Sequence, residues 1–218
     1  MIIKIGDEIL KEKENVKFVG LYIDNKLNWQ EHIKNLKSKL NSSIYAMNKV
    51  KRQLNTNILT TLYYTLIYPY IDYGITLWGS AYSTHLKKIM VMQKKSVRII
   101  VKAKYNEHTD PIFKELKILR LEDIYKLNIA KYMFGIHTLP VNINKIVINN
   151  RQVHEHNTRN INNPHVRQRK TQVASKSFRH IGPLIWYQIP IAVKDSKSIK
   201  SFKSKYTKHI LHGYSARL

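Results

Sequence analysis

Lysine and arginine are the residues with the clearest chemical consequence in this sequence. The chain has 38 of them against 14 aspartates and glutamates, a formal charge of +24 at pH 7. Such side chains neutralise backbone phosphates without reading the base sequence, and a charge this large repels itself unless a polyanion screens it. We therefore expect nucleic acid as the partner. The predicted phosphate contacts are Lys34, Lys37, Lys49, Lys51, Arg52, Lys94, Lys95, Arg98, Arg159, Arg167 and Arg169.

Motifs for catalysis are absent, and we predict neither catalytic nor metal-binding residues in this chain. The sequence has no nucleophile elbow, no phosphate-binding glycine loop and no dinucleotide fingerprint. The absence of cysteine excludes disulfides, thiolate zinc sites and a cysteine nucleophile. Glu122 and Asp123 are adjacent acids at a predicted helix start, where the helix dipole accounts for them. His154 and His156 lack the ligand spacing of a zinc site.

A group of tyrosines admits two interpretations. Tyrosine rings stack on unpaired bases, but they also fill helix interfaces while the hydroxyl stays in water. Because the segment around them is nearly all apolar, we favour core packing for the group and for Trp29 and Trp78. The tyrosines are Tyr63, Tyr64, Tyr68, Tyr70 and Tyr73.

The elements that must position these residues are predicted to be mainly helices. Apolar residues from Trp29 to Leu54 recur at steps of three and four, which places them on one face of a long helix. Related patterns predict further helices over 56–68, 86–101, 111–116, 122–137 and 198–211. We therefore predict a mainly α fold.

Changes of composition divide the chain into three segments. Residues 1–26 are predicted to hold a short β-hairpin region, with strands over 1–9 and 16–23. Residues 27–140 are predicted to form the helical bundle. Residues 141–218 are predicted to form a small, irregular, basic C-terminal module that ends in a helix. Within it, 141–169 is expected to be an extended loop or arm and 171–190 to be rich in turns.

Membrane association is not expected from the sequence. No run of about 18 apolar residues occurs, and the start of the chain lacks the basic-then-apolar layout of a signal peptide. We therefore expect an intracellular protein of the nucleus or cytoplasm.

Six stretches, taken in their order and spacing, resemble one known family. They are VKFVGLYIDNKLNWQEHI (16–33), LYYTLIYPYIDYGITLWGS (62–80), LKKIMVMQKKSVRII (86–100), HTDPIFKELKILRLEDIY (108–125), HNTR (156–159) and GPLIWYQIP (182–190). The sequence resembles the region that follows the catalytic palm in reverse transcriptases of non-LTR, LINE-type (jockey-like) retrotransposons. Nearly the whole chain is covered by the resemblance.

The resemblance implies a fold, an activity of the parent enzyme and a set of site residues. It implies a thumb-like bundle from an RNA-directed DNA polymerase, with Phe18, Val19, Gly20 and Leu21 as the hairpin that grips the primer end. It also implies that Mg²⁺ is held by aspartates of the palm, whose Tyr-x-Asp-Asp motif this chain lacks. We therefore expect the chain alone to be inactive and without a cofactor. The expected partners are an RNA–DNA primer–template, bound without sequence specificity, and the palm.

Other functions remain open from the sequence alone. The chain is also compatible with a free-standing, non-catalytic protein that binds RNA or DNA, or with a truncated element copy that has no selected function. The N-terminal strands distinguish the first two cases. Strands that pair with a palm leave an exposed edge, whereas strands that fold back on the bundle give a stable monomer. A peripheral membrane protein would need a wide, exposed apolar helix face.

Overall fold

The computed structural model describes residues 4–6, 8–9, 13–136, 146–153, 156 and 161–214. Two antiparallel hairpins open the chain. The first pairs β1 (Lys4–Ile5) with β2 (Glu8–Ile9), and the second pairs β3 (Asn15–Phe18) with β4 (Leu21–Asp24). Each predicted single strand is therefore a hairpin instead, because a turn containing a glycine with positive φ, Gly6 or Gly20, interrupts it.

Helices make up most of the remaining described chain. In order they are α1 (Gln30–Val50), α2 (Thr56–Leu66), α3 (Tyr68–Asp72), α4 (Ile75–Trp78), α5 (Ser83–Ile100), α6 (Asp110–Glu115), α7 (Leu121–Phe134), α8 (Gln172–Ser175), α9 (Phe178–Tyr187), α10 (Ile191–Lys194) and α11 (Ile199–His212). Helix α1 packs along α5, and both α9 and α11 pack against α7. The prediction of a mainly α fold is confirmed.

Local hydrogen bonds fix where the first two helices begin. The Asp24 carboxylate accepts from the backbone N–H groups of Asn28 and Trp29, at 3.0 and 2.7 Å. These bonds tie the end of β4 to the two residues that precede α1. Helix α2 is capped by Asn55, whose side chain accepts from the N–H of Ile58 at 2.9 Å.

One hydrophobic core joins residues from all three predicted segments. It includes Leu21 of the second hairpin, Leu40 and Met47 of α1, and Phe202 and Tyr206 of α11. The apolar stripe that predicted α1 is the face it buries against α5, as expected for helices packed along each other. The hairpin and the C-terminal helices are therefore both fastened to the bundle.

The C-terminal segment is more regular than its composition predicted. The described part of 141–169 folds on itself, with a bridge between Asn149 and Pro164 and a short 3₁₀ helix, Asn150–Gln152. Within the segment predicted to be turn-rich, Phe178–Tyr187 is a helix, and there the prediction was wrong. A Cβ at Gly182 would lie 2.7 Å from the sulfur of Met133, so this glycine lets α9 approach α7 and does not mark a turn.

Candidate nucleic-acid interface

The turn between β3 and β4 has an unusual backbone. Its two central residues, Val19 and Gly20, have φ values of 45° and 79°. Two positive φ values define the type I′ turn that matches the twist of a two-residue hairpin. Glycine adopts this conformation freely, but a β-branched residue such as valine rarely does. Backbone strain of this kind persists only where surrounding contacts hold it, and it concentrates at functional sites.

Two contacts with the bundle hold the turn in place. The hydroxyl of Tyr73 donates a hydrogen bond to the carbonyl of Val19. The side chain of Leu21 is buried directly over Gly74, where an added Cβ would lie 2.9 Å from a Leu21 methyl carbon. Gly74 also has a positive φ of 63°, which favours glycine at this position. The turn is therefore held in one position against the helical bundle.

The residues of the predicted primer grip divide into a tip and an anchor. Phe18 and Val19 are 65% and 67% exposed, whereas Leu21 is buried. A Cβ at Gly20 would lie 3.5 Å from the Tyr73 ring, an ordinary contact distance, so the positive φ alone accounts for glycine in the turn. Contact of these residues with a primer remains a prediction.

The predicted cations of α1 lie mostly on its solvent side. Lys34, Lys37, Lys49 and Arg52 are exposed, and Lys51 is half-buried at the end of the helix. These residues therefore place positive charge along α1 and on the turn that follows it. Among the residues that the structure describes, only Lys34 of this set pairs with an acid, and that exposed pair, with Glu31 at 3.4 Å, contributes little to stability.

The predicted cations of α5 are half-buried and partly committed to the fold. Lys94, Lys95 and Arg98 lie on the side of α5 opposite its buried residues. The Nε atom of Arg98 donates to the carbonyl of Glu107 at 2.8 Å and so holds the loop that follows α5. The two lysines make no hydrogen bond or ion pair within the described residues and remain available to a phosphate.

The C-terminal arginines are in three different situations. Arg167 is exposed on the segment before α8. Arg169 is half-buried, and its Nε and one terminal nitrogen are enclosed without a hydrogen-bond partner in the described residues. Arg159 lies outside the described residues.

Positive charge on the described surface is largely uncompensated. Of the lysines and arginines in the described ranges, only Lys34 and Arg120 lie within 4.0 Å of a carboxylate oxygen. Arg120 pairs with Asp110 at 3.0 Å beside the start of α7. A surface with so few internal counter-charges favours association with a polyanion, most strongly at low ionic strength.

The tyrosine cluster is only partly a core element. The predicted core positions are confirmed for Tyr63 and Trp78, which are fully buried. They are wrong for Tyr64, Tyr70 and Tyr73, which are exposed. Residues 62–77 are nearly all apolar and show no polar face. The sequence therefore did not indicate which of these side chains point to solvent.

A groove beside the turn contains residues to which the sequence gave no role. It has a volume of about 500 Å³ and lies between the turn, the first half of α1 and α3. His32, Asn35 and Lys39 border it from α1, and Tyr70 and Tyr73 border it from the segment around α3. His32 and Asn35 are three residues apart in α1, so the helical repeat places them next to each other on one face. The approach of α3 to that side was not predictable.

Metal sites and membrane-spanning helices each place requirements on the residues that form them. Within the described ranges, no group of three or more histidine, aspartate or glutamate side chains is arranged to hold a metal ion. None of the helices in the described part of the chain combines the length and apolar character needed to span a membrane.

Comparison with known proteins identifies homologues from mobile elements. The chain is 25% identical over 141 residues to the RNA-directed DNA polymerase from mobile element jockey of Drosophila melanogaster, which covers 63% of this chain and 15% of the relative. It is 28% identical over 133 residues to the jockey polymerase of Drosophila funebris, covering 60% of this chain and 14% of the relative. A probable RNA-directed DNA polymerase from transposon X-element of Drosophila melanogaster is 23% identical over 119 residues, or 53% of this chain and 13% of the relative.

These matches cover only a small part of each relative, about 15% of the length of the jockey polymerases. No family model matches the chain, and no solved structure matches it. The resemblance inferred from the ordered sequence stretches is nevertheless confirmed over about 60% of the chain, not over nearly all of it, since the homologues come from the same class of element. The chain is homologous to a part of the RNA-directed DNA polymerases of non-LTR retrotransposons.

Proposed function

We propose that this chain is the part of a retrotransposon reverse transcriptase that holds the primer–template duplex by its sugar–phosphate backbone. The observation that carries the proposal is the outer side of α1 and of the turn that follows it, where Lys34, Lys37, Lys49 and Arg52 are exposed. Glu31 is the one carboxylate within ion-pair distance of them in the described residues. Cations in such a row bind phosphates and release counterions, without reading bases. The expected ligand is an RNA–DNA primer–template of any sequence.

The turn at Val19 and Gly20 is proposed to position the end of the primer. It is held by Tyr73 and Leu21 and presents Phe18 and Val19 to solvent. Phosphoryl transfer depends on in-line alignment of its reacting groups, so a rigid tip near the primer end contributes by positioning. The chain supplies no catalytic carboxylates in this proposal, and alone it has no polymerase activity. The Mg²⁺ of the parent enzyme is assigned to the palm.

The palm is proposed to dock on strand β3. All four residues of β3 are exposed, and β3 pairs only with β4 among the described strands. Its outer edge therefore offers unpaired backbone groups, with Val16 exposed beside them. An edge of this kind accepts a further strand from a neighbouring sheet.

A charge-removal experiment tests the backbone grip. Lys37, Lys49 and Arg52 are changed together to glutamine, and Kd for an RNA–DNA primer–template is measured across a salt series. Loss of three phosphate contacts makes the negative slope of log K against log salt shallower by about 2.7. A matched triple change to glutamine at Lys197, Lys200 and Lys203, all exposed, is expected to leave the slope nearly unchanged. Equal effects of the two triple variants would contradict a binding face on α1.

A second candidate function is favoured by one observation. The β3–β4 hairpin packs on the bundle through α1 and Leu21, and does not extend away from it. That arrangement suits a free-standing, non-catalytic nucleic-acid-binding protein, which needs no palm to cover its hairpin. Such a protein is expected to elute as a monomer in size-exclusion chromatography and to bind paired and recessed substrates equally. A preference for a recessed primer end would contradict it.

A further inference from the structure

The groove beside the turn has aromatic side chains that a planar ligand can reach. Tyr70 is 40% exposed, and Tyr73 is exposed on the same segment. The Nζ atom of Lys39 lies 5.6 Å from the centroid of the Tyr70 ring. Lys39 has no carboxylate within ion-pair distance in the described residues. The ammonium group lies over the ring in a cation–π contact. An exposed ring and a lysine without a carboxylate partner in the described residues match the two parts of a nucleotide, a base that stacks and a phosphate.

The groove also has polar groups whose hydrogen bonds are unmade. His32 is only 6% exposed, and neither of its ring nitrogens has a hydrogen-bond partner in the described residues. The ring is set among Trp29, Trp78 and the groove, and burial, reinforced by Lys39, lowers its pKa to about 4. Both ring nitrogens are enclosed, so the neutral imidazole forms part of the groove wall and does not present them to the groove. The side-chain amide of Asn35, half-buried at the same groove, makes no hydrogen bond within the described part of the chain.

Unpaired polar groups of this kind are uncommon in a folded interior. A buried donor or acceptor left without a partner destabilises the fold, so each instance needs an explanation. The amide of Asn35 is the group that a ligand in the groove can reach, since the His32 nitrogens are enclosed. An amide offers both donors and an acceptor, which suits the edge of a nucleobase better than a lipid tail or an apolar side chain.

We propose that this groove binds one unpaired nucleotide of the nucleic acid held by the chain, with its base stacked on Tyr70 and its phosphate at Lys39. The groove volume of about 500 Å³ lies in the range of pockets for single small ligands. The proposal rests on the proposed function, because Val19 and Gly20 of the positioning turn form one wall of the groove. The hydrogen bond from Tyr73 to Val19 makes the turn and the groove one unit.

The test compares two RNA–DNA primer–templates of equal length. In one the 3′ nucleotide of the DNA primer is paired, and in the other it is a mismatched, unpaired 2-aminopurine nucleotide. The chain is expected to bind the unpaired end about tenfold more tightly, the effect of one base stacked on an aromatic side chain, and to quench the 2-aminopurine fluorescence. Tyr70→Ala is expected to abolish the preference and the quenching while leaving affinity for the paired substrate within about twofold.

Tyr45→Ala is the matched control. Tyr45 is an exposed tyrosine whose ring lies 5.3 Å from the Nζ atom of Lys49 on the outer side of α1, away from the groove. This variant is expected to keep the preference for the unpaired end. Lys39→Gln, a second exposed change at the groove, is expected to reduce it, and thermal unfolding checks that all variants fold.

The outcomes separate the two proposals. Equal affinity of the unmodified chain for both substrates, or a preference that survives in Tyr70→Ala, overturns the groove proposal. If the chain still binds the paired substrate, the proposed function remains intact. Failure to bind either substrate overturns both. Loss of the preference in Tyr70→Ala but not in Tyr45→Ala supports the groove.

Discussion

Replacing Gln93 with methionine is expected to destabilise the bundle strongly. Gln93 is fully buried on α5 and makes three hydrogen bonds, each 2.9 Å long. Its amide nitrogen donates to the Tyr63 hydroxyl and to the Leu119 carbonyl, and its amide oxygen accepts from the N–H of Leu121. One side chain thereby joins α2, α5 and the start of α7.

The magnitude follows from what Gln93→Met leaves unpaired. Methionine has a similar length and volume, so the substitution leaves little cavity and the free-energy cost of a cavity is small. Three buried polar groups lose their partner, and each such loss costs about 1–3 kcal/mol. We expect the free energy of unfolding to fall by about 4 kcal/mol, a large part of the 5–15 kcal/mol typical of a domain.

Urea unfolding followed by circular dichroism measures this change. Tyr63→Phe is the control, because it removes one hydroxyl and leaves two bonds of Gln93 intact. It is expected to lower the free energy of unfolding by about 1 kcal/mol. A Gln93→Met variant that loses less than about 1 kcal/mol, or no more than Tyr63→Phe, would refute the reasoning that this network joins the three helices.

Three further changes test other parts of the structure. Tyr214→Phe removes the hydrogen bond that the Tyr214 hydroxyl donates to buried Asp123 at 2.5 Å. We expect the free energy of unfolding to fall by about 2 kcal/mol and Tm, measured by calorimetry, to fall by about 4–8 °C. An unchanged Tm would contradict this expectation. Gly74→Ala forces a Cβ against Leu21 at a positive φ and is expected to lower the free energy of unfolding by about 1–3 kcal/mol in urea unfolding, whereas no loss would mean that the hairpin is not held there. Because the pKa of His32 is lowered to about 4, its protonation favours the unfolded state. Relative to His32→Leu, the unmodified chain is expected to have constant stability above pH 7.5, to lose up to about 3 kcal/mol as pH falls from about 6.5 to about 4, and to level off below that. Parallel pH profiles of the two proteins would contradict the last expectation.

The helices were predictable because their signals are local. The spacing of Ile33, Leu36, Leu40 and Met47 depends only on the 3.6-residue repeat, and all four are buried in α1. Likewise, the pattern that includes Phe202 predicted the last helix, within about one residue of its observed bounds. Long amphipathic helices place their periodicity in the sequence itself.

The candidate site was less predictable because long-range contacts build it. The hydrogen bond from Tyr73 to Val19 joins residues 54 positions apart, and no local pattern encodes it. The outward direction of Tyr70 depends on how α3 meets α1, and the burial of His32 depends on Trp78. The resemblance to reverse transcriptases directed attention to the turn, but its strained backbone became visible only in the structure.

The most direct measurement of the proposed function is a titration of the chain against three ligands across a salt series. The ligands are an RNA–DNA primer–template with a recessed primer end, duplex DNA and single-stranded RNA. We expect tightest binding to the recessed primer–template, with an affinity that falls steeply as salt rises. Equal, weak affinity for all three would contradict the assignment of the Phe18–Leu21 turn to the primer end and leave only a generic basic protein.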